Sequence, residues 1–197
     1  MFTFYLNSAE RISVSRTFLE ISKYELFLMN LKFSVDYTRV PLSEYPGVPG
    51  SDYINGNYIK GASGSNAYIA CQGPLPHTVN DFWRMVVETE VQVIVMACNE
   101  QEAGKHKCER YWSEEHEVEC QYGKYFVRLL KSREICPDFL VRTMRLRWTN
   151  EDQDKTEEER TVCQFHYSAW PDHGIPTQVR LSKTRETQKM KNLTFGI

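Results

Sequence analysis

The sequence holds no apolar run long enough to cross a bilayer. Its longest, Val91 to Cys98, is already interrupted at Gln92, whereas a membrane helix needs about 20 such residues. No secretory leader is expected either, because charges alternate through the first residues (Glu10, Arg11, Arg16, Glu20) where a leader needs a clean apolar stretch. Neither sign of charge is in excess. Lys and Arg number 24 against 26 Asp and Glu, a net charge of −2, so bulk attraction draws the chain to neither nucleic acid nor membrane. The six cysteines form no C-x-x-C pair and the five histidines are scattered. Neither pattern has the spacing of a zinc site, and no metal is expected. These absences leave reduced thiols and a cytoplasmic setting.

What is present suits a packed core. The chain is 41% apolar and 13% aromatic over 197 residues, enough for one domain that buries roughly 70% of its unfolded surface. Three zones differ in character. In residues 1–35, Phe18 to Leu28 could form an amphipathic helix, although its apolar positions are poorly phased. The zone from 36 to 179 alternates helix and strand signals. The last zone, 180–197, sets Arg180, Lys183, Arg185, Lys189 and Lys191 against Glu186 and reads as a solvated, frayed end.

The clearest helix starts at Thr78. Thr78 and Asp81 have the spacing of a capping box, and Val79, Phe82, Trp83, Val86 and Val87 follow at helical spacing. The β-branched run Val91 to Ala97 then reads as a strand covered on both faces. Helix followed by buried strand predicts an α/β layer. Tyr125–Leu130, Phe139–Trp148 and Thr161–Tyr167 read as further strands, the last two as a hairpin. The six acids between Asn150 and Arg160 read as a solvated loop, because the glycine of a calcium-binding loop is missing.

The segment His166 to Pro176 carries the most chemistry. Two prolines and a glycine within six residues make a loop with defined bends and a hinge. Within it Asp172 lies beside Trp170 and Pro171. A carboxyl held against an aromatic wall keeps its proton longer and can donate it; an ordinary turn aspartate is the plainer reading of the same composition.

Five ordered stretches resemble the protein-tyrosine phosphatase family. Asp36 to Leu42 (DYTRVPL) resembles its D-x-S/T-R-V/I-x-L stretch, and Asp52 to Ile59 (DYINGNYI) its D-Y-I-N-A-N segment, with Gly56 where alanine is usual. Tyr68 to Pro74 (YIACQGP) followed by Asp81 to Met85 (DFWRM) matches a further pair. Glu102, Lys107, Cys108, Tyr111 and Trp112 fit the E-x-G-x-x-K-C-x-x-Y-W loop. Trp170, Pro171, Asp172, His173 and Gly174 resemble the WPD loop. The wording is closest to the non-receptor PEST-type subfamily. The resemblance implies a twisted mixed β-sheet flanked by helices, truncated on the C-terminal side. Within it lie a divergent segment at 1–35, a partial phosphatase domain at 36–179 and a divergent basic tail at 180–197.

The resemblance also implies a reaction. A cysteine thiolate attacks the phosphorus of a phosphotyrosyl protein, backbone amides and an arginine hold the phosphoryl oxygens, and no metal or cofactor takes part. Asp172 would protonate the departing phenolate, whose ordinary pKa is about 10. Trp170 would anchor the moving loop, and Glu102 with Lys107 would support the phosphate-binding arginine.

The departures matter as much. The family nucleophile lies in H-C-x-x-G-x-x-R, and these 197 residues contain no such run; 25 residues follow Asp172. One C-x5-R exists, Cys136 to Arg142, but it lacks glycine, Pro137 removes an amide donor and Asp138 would repel a dianion. The tyrosine that clamps the substrate ring is missing too, since Phe27 to Leu31 does not match its N-R-Y-x-D setting. With no nucleophile the chain is expected to be inactive alone. The alternatives are a non-catalytic binding fragment and an unstable, incomplete domain. In the second, loss of the family's nucleophile strand would leave the Val91–Ala97 strand facing a gap.

Overall fold

Buried residues recur at every second position through 125–129 and 144–148, within two of the longest strands. In the computed structural model, which describes residues 36–61, 64–149 and 157–169 together with the backbone of residues 2–6, β1 spans Phe2–Leu6, β2 Gly56–Lys60, β3 Asn66–Gln72 and β4 Val93–Met96. β5 (Gln101–Glu102) and β6 (Lys105–His106) form a small hairpin, and β7 (Glu119–Tyr122), β8 (Tyr125–Cys136), β9 (Phe139–Thr149) and β10 (Glu157–Tyr167) complete the strands. Among the described residues there is one α-helix, α1, at Val79–Glu88, and one 3-10 turn at Asp36–Thr38. Eight strands make one mixed sheet in the order β2-β3-β1-β4-β10-β9-β8-β7. β4 and β10 run parallel, and all other neighbours are antiparallel.

In β9 the inward phase is Met144, Leu146 and Trp148, and in β8 it is Tyr125, Val127 and Leu129; all six are buried. α1 lays Val79, Phe82, Trp83 and Val86 against this side of the sheet, in one core with them. Trp83 donates its indole N–H to the Tyr111 carbonyl at 3.1 Å, and the Phe82 ring lies 4.5 Å from that of Tyr111. The opposite face gathers Ala70, Val93, Val95, Ala97, Phe139 and Phe165, with Phe139 and Phe165 stacked 6.1 Å apart.

Several expectations need correction. α1 begins where the spacing predicts, but Thr78 does not cap it with its side chain. Its hydroxyl instead accepts from the Leu75 N–H at 2.8 Å, and only its carbonyl enters the helix ladder. Asp81 is diverted as well, its carboxylate lying 3.1 Å from the buried Arg84. A buried guanidinium has the stronger claim on a carboxylate than an already solvated helix end. The acidic run is not all loop. Glu157, Glu158 and Glu159 belong to β10, where Glu159 stands opposite Arg147 and Glu157 accepts from it at 3.2 Å. Cross-strand charge pairing draws them into the ladder.

The largest correction concerns the gap. β4 has no open edge: β10 pairs with one side, and Thr3–Leu6 of β1 pairs with the other, Thr3 opposite Met96 and Leu6 opposite Val93. The expected helix at Phe18–Leu28 and the basic tail at 180–197 lie outside the described residues.

Arg84 holds the 43–51 loop to α1. Although only 2% exposed, it donates to the carbonyls of Ser43 (3.1 Å) and Ser51 and packs 4.1 Å over the Tyr45 ring. Replacing Arg84 with Ala strands both carbonyls and leaves Asp81 without its partner, so Arg84→Ala is expected to cost about 2–3 kcal/mol in urea unfolding. Arg84→Lys should recover little of this, since a single ammonium lacks the fork that reaches two carbonyls.

Candidate active site

A two-residue turn shapes the loop that carries Glu102 and Lys107. Ala103 and Gly104 both take positive φ, 48° and 74°, the pairing that a tight hairpin with right-handed twist requires. Glu102 thus ends β5 opposite Lys105, and Lys107 follows β6 directly. The Glu102 carboxylate accepts from the Asn99 N–H at 3.1 Å through one oxygen. Its other oxygen is buried and accepts no hydrogen bond among the described residues. The Lys107 N–H donates to the Glu100 carbonyl at 2.8 Å.

Close packing at Gly73 ties this loop to the end of β3. A Cβ on Gly73 would lie 3.0 Å from both Cβ and Sγ of Cys108 and 3.3 Å from the Lys107 carbonyl, so the glycine of the Q-G-P stretch is there for lack of room. The Glu109 N–H donates to the Pro74 carbonyl at 2.7 Å. Beyond this seam opens a cavity of about 330 Å³, lined by Tyr53, Asn55, Gln72, Leu75 and Asp81 among others. Its two amides bond each other, Asn55 donating to Gln72 at 3.0 Å.

Cys108 lies beside Cys98, whose hydrogen bond, together with burial, pushes the Cys108 thiol well up. Burial also raises the Cys163 thiol. Raised thiols are poor nucleophiles. Cys136 and Arg142 sit on the β8–β9 hairpin, where Cys136 stands opposite Phe139 across the Pro137–Asp138 turn. Strand geometry aims no row of amides at a phosphate there, and Arg142 is engaged elsewhere.

Arg142 is the centre of a network that the sequence reading missed. It donates to the Gln164 side-chain carbonyl at 2.7 Å and meets His166 Nδ1 at 3.3 Å, with its guanidinium 4.6 Å from the Trp112 ring centre. The Gln164 amide donates in turn to the buried Tyr111 hydroxyl at 2.8 Å. His166 Nε2 reaches the Cys98 carbonyl at 2.8 Å. A carbonyl only accepts and a guanidinium only donates, so the imidazole is neutral, with its proton on Nε2. Asn99 donates to the Ser168 carbonyl at 2.8 Å, and the Ser168 N–H donates to Asp138 at 3.0 Å. These contacts fix the chain up to the point where the WPD-like stretch begins. Trp170, Pro171, Asp172, His173 and Gly174 themselves lie outside the described residues.

Among the described residues, no group of three or more His, Cys, Asp and Glu gathers to hold a metal ion, and no helix is long and apolar enough to cross a membrane.

Comparison with known proteins places these features. The family model "Protein-tyrosine phosphatase" matches residues 31–194. Human tyrosine-protein phosphatase non-receptor type 18 is 47% identical over 142 residues, which is 72% of this chain and 29% of that protein. Human receptor-type tyrosine-protein phosphatase F is 42% identical over 158 residues, 80% of this chain and 8% of that protein. The crystal structure of the catalytic domain of human non-receptor type 18 superposes with a TM-score of 0.63 at 46% identity, covering 73% of this chain and 48% of that one. A structure of the same phosphatase in complex with HER2 phosphopeptides gives 0.65. The chain belongs to the protein-tyrosine phosphatase family. It spans less than a third of the length of its non-receptor relative and about half of the solved catalytic domain.

Burial holds the His166 imidazole below its ordinary range, and the neighbouring Arg142 adds to this. The unfolded chain therefore takes up a proton at about pH 6.5, where the folded one does not, and acid favours unfolding. Thermal melts should lose a few degrees from about pH 7.5 to about 5.5, and His166→Gln should flatten that slope. An unchanged slope in the variant would contradict the partly buried, neutral imidazole.

Proposed function

We propose that this chain carries the proton-donor side of a phosphotyrosine phosphatase site and that the 197-residue polypeptide alone does not hydrolyse phosphotyrosine. One observation carries the proposal: the sequence contains no H-C-x-x-G-x-x-R run, and its single C-x5-R is a β-hairpin whose arginine serves Gln164 and His166. Asp172 is the proton donor, with Trp170, Pro171, His173 and Gly174 forming its loop. Glu102 and Lys107 are the supporting pair. The unpartnered oxygen of Glu102 supports that assignment, because a buried carboxylate oxygen calls for a donor. Residues 36–179 are the phosphatase-type portion, 1–35 and 180–197 its divergent flanks, and the setting is cytoplasmic.

The partners are phosphotyrosyl proteins, supported by the relative's structure with HER2 phosphopeptides. Without an attacking group, a loop to hold the phosphoryl oxygens or the ring-clamping tyrosine, the chain engages such partners by binding alone, through retained surface of the phosphatase-type portion such as residues 36–49. The double pairing of β4 favours this folded, non-catalytic reading over an unstable domain.

With a phosphotyrosyl peptide as substrate, phosphate release is expected to stay at the buffer rate. A phenolate leaving group, with its pKa of about 10, makes any general acid visible. Turnover above buffer that drops at least tenfold in Asp172→Ala would overturn the proposal.

A further inference from the structure

β1 is the strand whose loss would divide the main sheet. β3 and β4 do not pair with each other; both run antiparallel to β1, with Phe2 opposite Gln72 and Leu6 opposite Tyr68 on one side, and Thr3 opposite Met96 and Leu6 opposite Val93 on the other. Two strands that share one neighbour stand roughly 10 Å apart. Without β1 that width is a slot, walled by two facing rows of unpaired N–H and C=O groups.

The walls hold themselves up. β3 is tied on its far side to β2, β4 to β10, and α1 follows β3 and leads towards β4. Ile69, Ala70, Cys71 and all of β4 are no more than 5% exposed. β1, by contrast, is distant in sequence from both walls, Leu6 lying 60 positions before Asn66. A slot of this kind takes an extended segment by main-chain hydrogen bonding along both edges.

We propose that β3 and β4 form a strand-accepting slot whose ligand is an extended peptide running antiparallel to both walls, and that the chain's own Phe2–Leu6 is its resident, exchangeable occupant. Occupancy is intramolecular, since a tethered strand meets its slot at a far higher effective concentration than a free one. Strands from second copies are the competing occupants.

Position 3 gives a direct test, because Thr3 stands opposite Cys71. Residues opposite each other in an antiparallel pair have Cα atoms about 4.5–5.5 Å apart, within disulfide range. Full-length Thr3→Cys, oxidised with glutathione disulfide, should form an intrachain link between position 3 and Cys71, seen by peptide mapping of the monomer. Phe4→Cys, opposite Ala70 and on the other face, should not. Exchange is read with a synthetic peptide of residues 1–8 carrying cysteine in place of Thr3. It should be captured at Cys71 at least tenfold faster on full-length Phe4→Pro, whose proline breaks the central pairing, than on the unaltered chain. Capture should also restore amide protection at 68–72 and 93–96. A Thr3→Cys link found only between two copies, or found at another cysteine, overturns the cis assignment. Equal capture on both chains, or capture on neither, overturns exchangeability. If Phe4→Pro does not fold, slow capture at Cys71 of the unaltered chain still supports exchange, and its absence over days overturns it.

Discussion

A guanidinium does not lose its charge at any ordinary pH, so an arginine partly withdrawn from solvent presses its neighbours to supply acceptors. Arg142 imposes that condition on this fold. Burial lowers its pKa without neutralising it, and Gln164, His166 and the Trp112 ring meet the demand from three sides. The consequences run outward. Gln164, with its oxygen committed to Arg142, turns its amide to Tyr111, which anchors α1 through Trp83. His166, obliged to accept at Nδ1, presents its proton to the Cys98 carbonyl. One partly buried charge thus joins β9, β10, the aromatic core under α1 and the loop ahead of β5, and it does so shortly before the stretch that holds Asp172.

The second constraint is backbone pairing in the middle of the sheet. A central strand cannot be left with an unsatisfied edge in a buried setting. β4 is buried along its whole length, and Thr3–Leu6 of β1 meets its open side. The close approach of β2 to β3 belongs to the same economy of space. Gly56 stands opposite Cys71, and a Cβ there would come within 3.2 Å of the Cys71 Cβ, which gives a physical reason for glycine where the family stretch usually has alanine.

Much of this was legible in advance. The core phase of α1, the strand after it and the β9–β10 hairpin all follow from periods of 3.6 and 2 that survive in the folded molecule. The Glu102–Lys107 hairpin was visible as a motif, although nothing local showed that Ala103 would take a positive φ. The Arg142 network left one faint signal. Arg142 shares the inward phase of Met144, Leu146 and Trp148, and Gln164 and His166 share that of Val162, so polar residues occupy positions that the pattern reserves for apolar ones. The Thr78 cap and the acidic loop were misread for a common reason: each rule considers neighbours in sequence, while Asp81 and Glu157 answered to arginines brought in by packing.

Local pattern and motif spacing, by themselves, determined the family, the type of α1, β4, β9 and most of β8 and β10, and the absence of a phosphate-binding cysteine run from these residues, because each of those is written in consecutive or periodic positions. Which strand closes the centre of the sheet, which tautomer His166 carries and which charges are buried were decided only in three dimensions. Those outcomes depend on pairing energies and desolvation between residues tens of positions apart, and a linear pattern has no term for either.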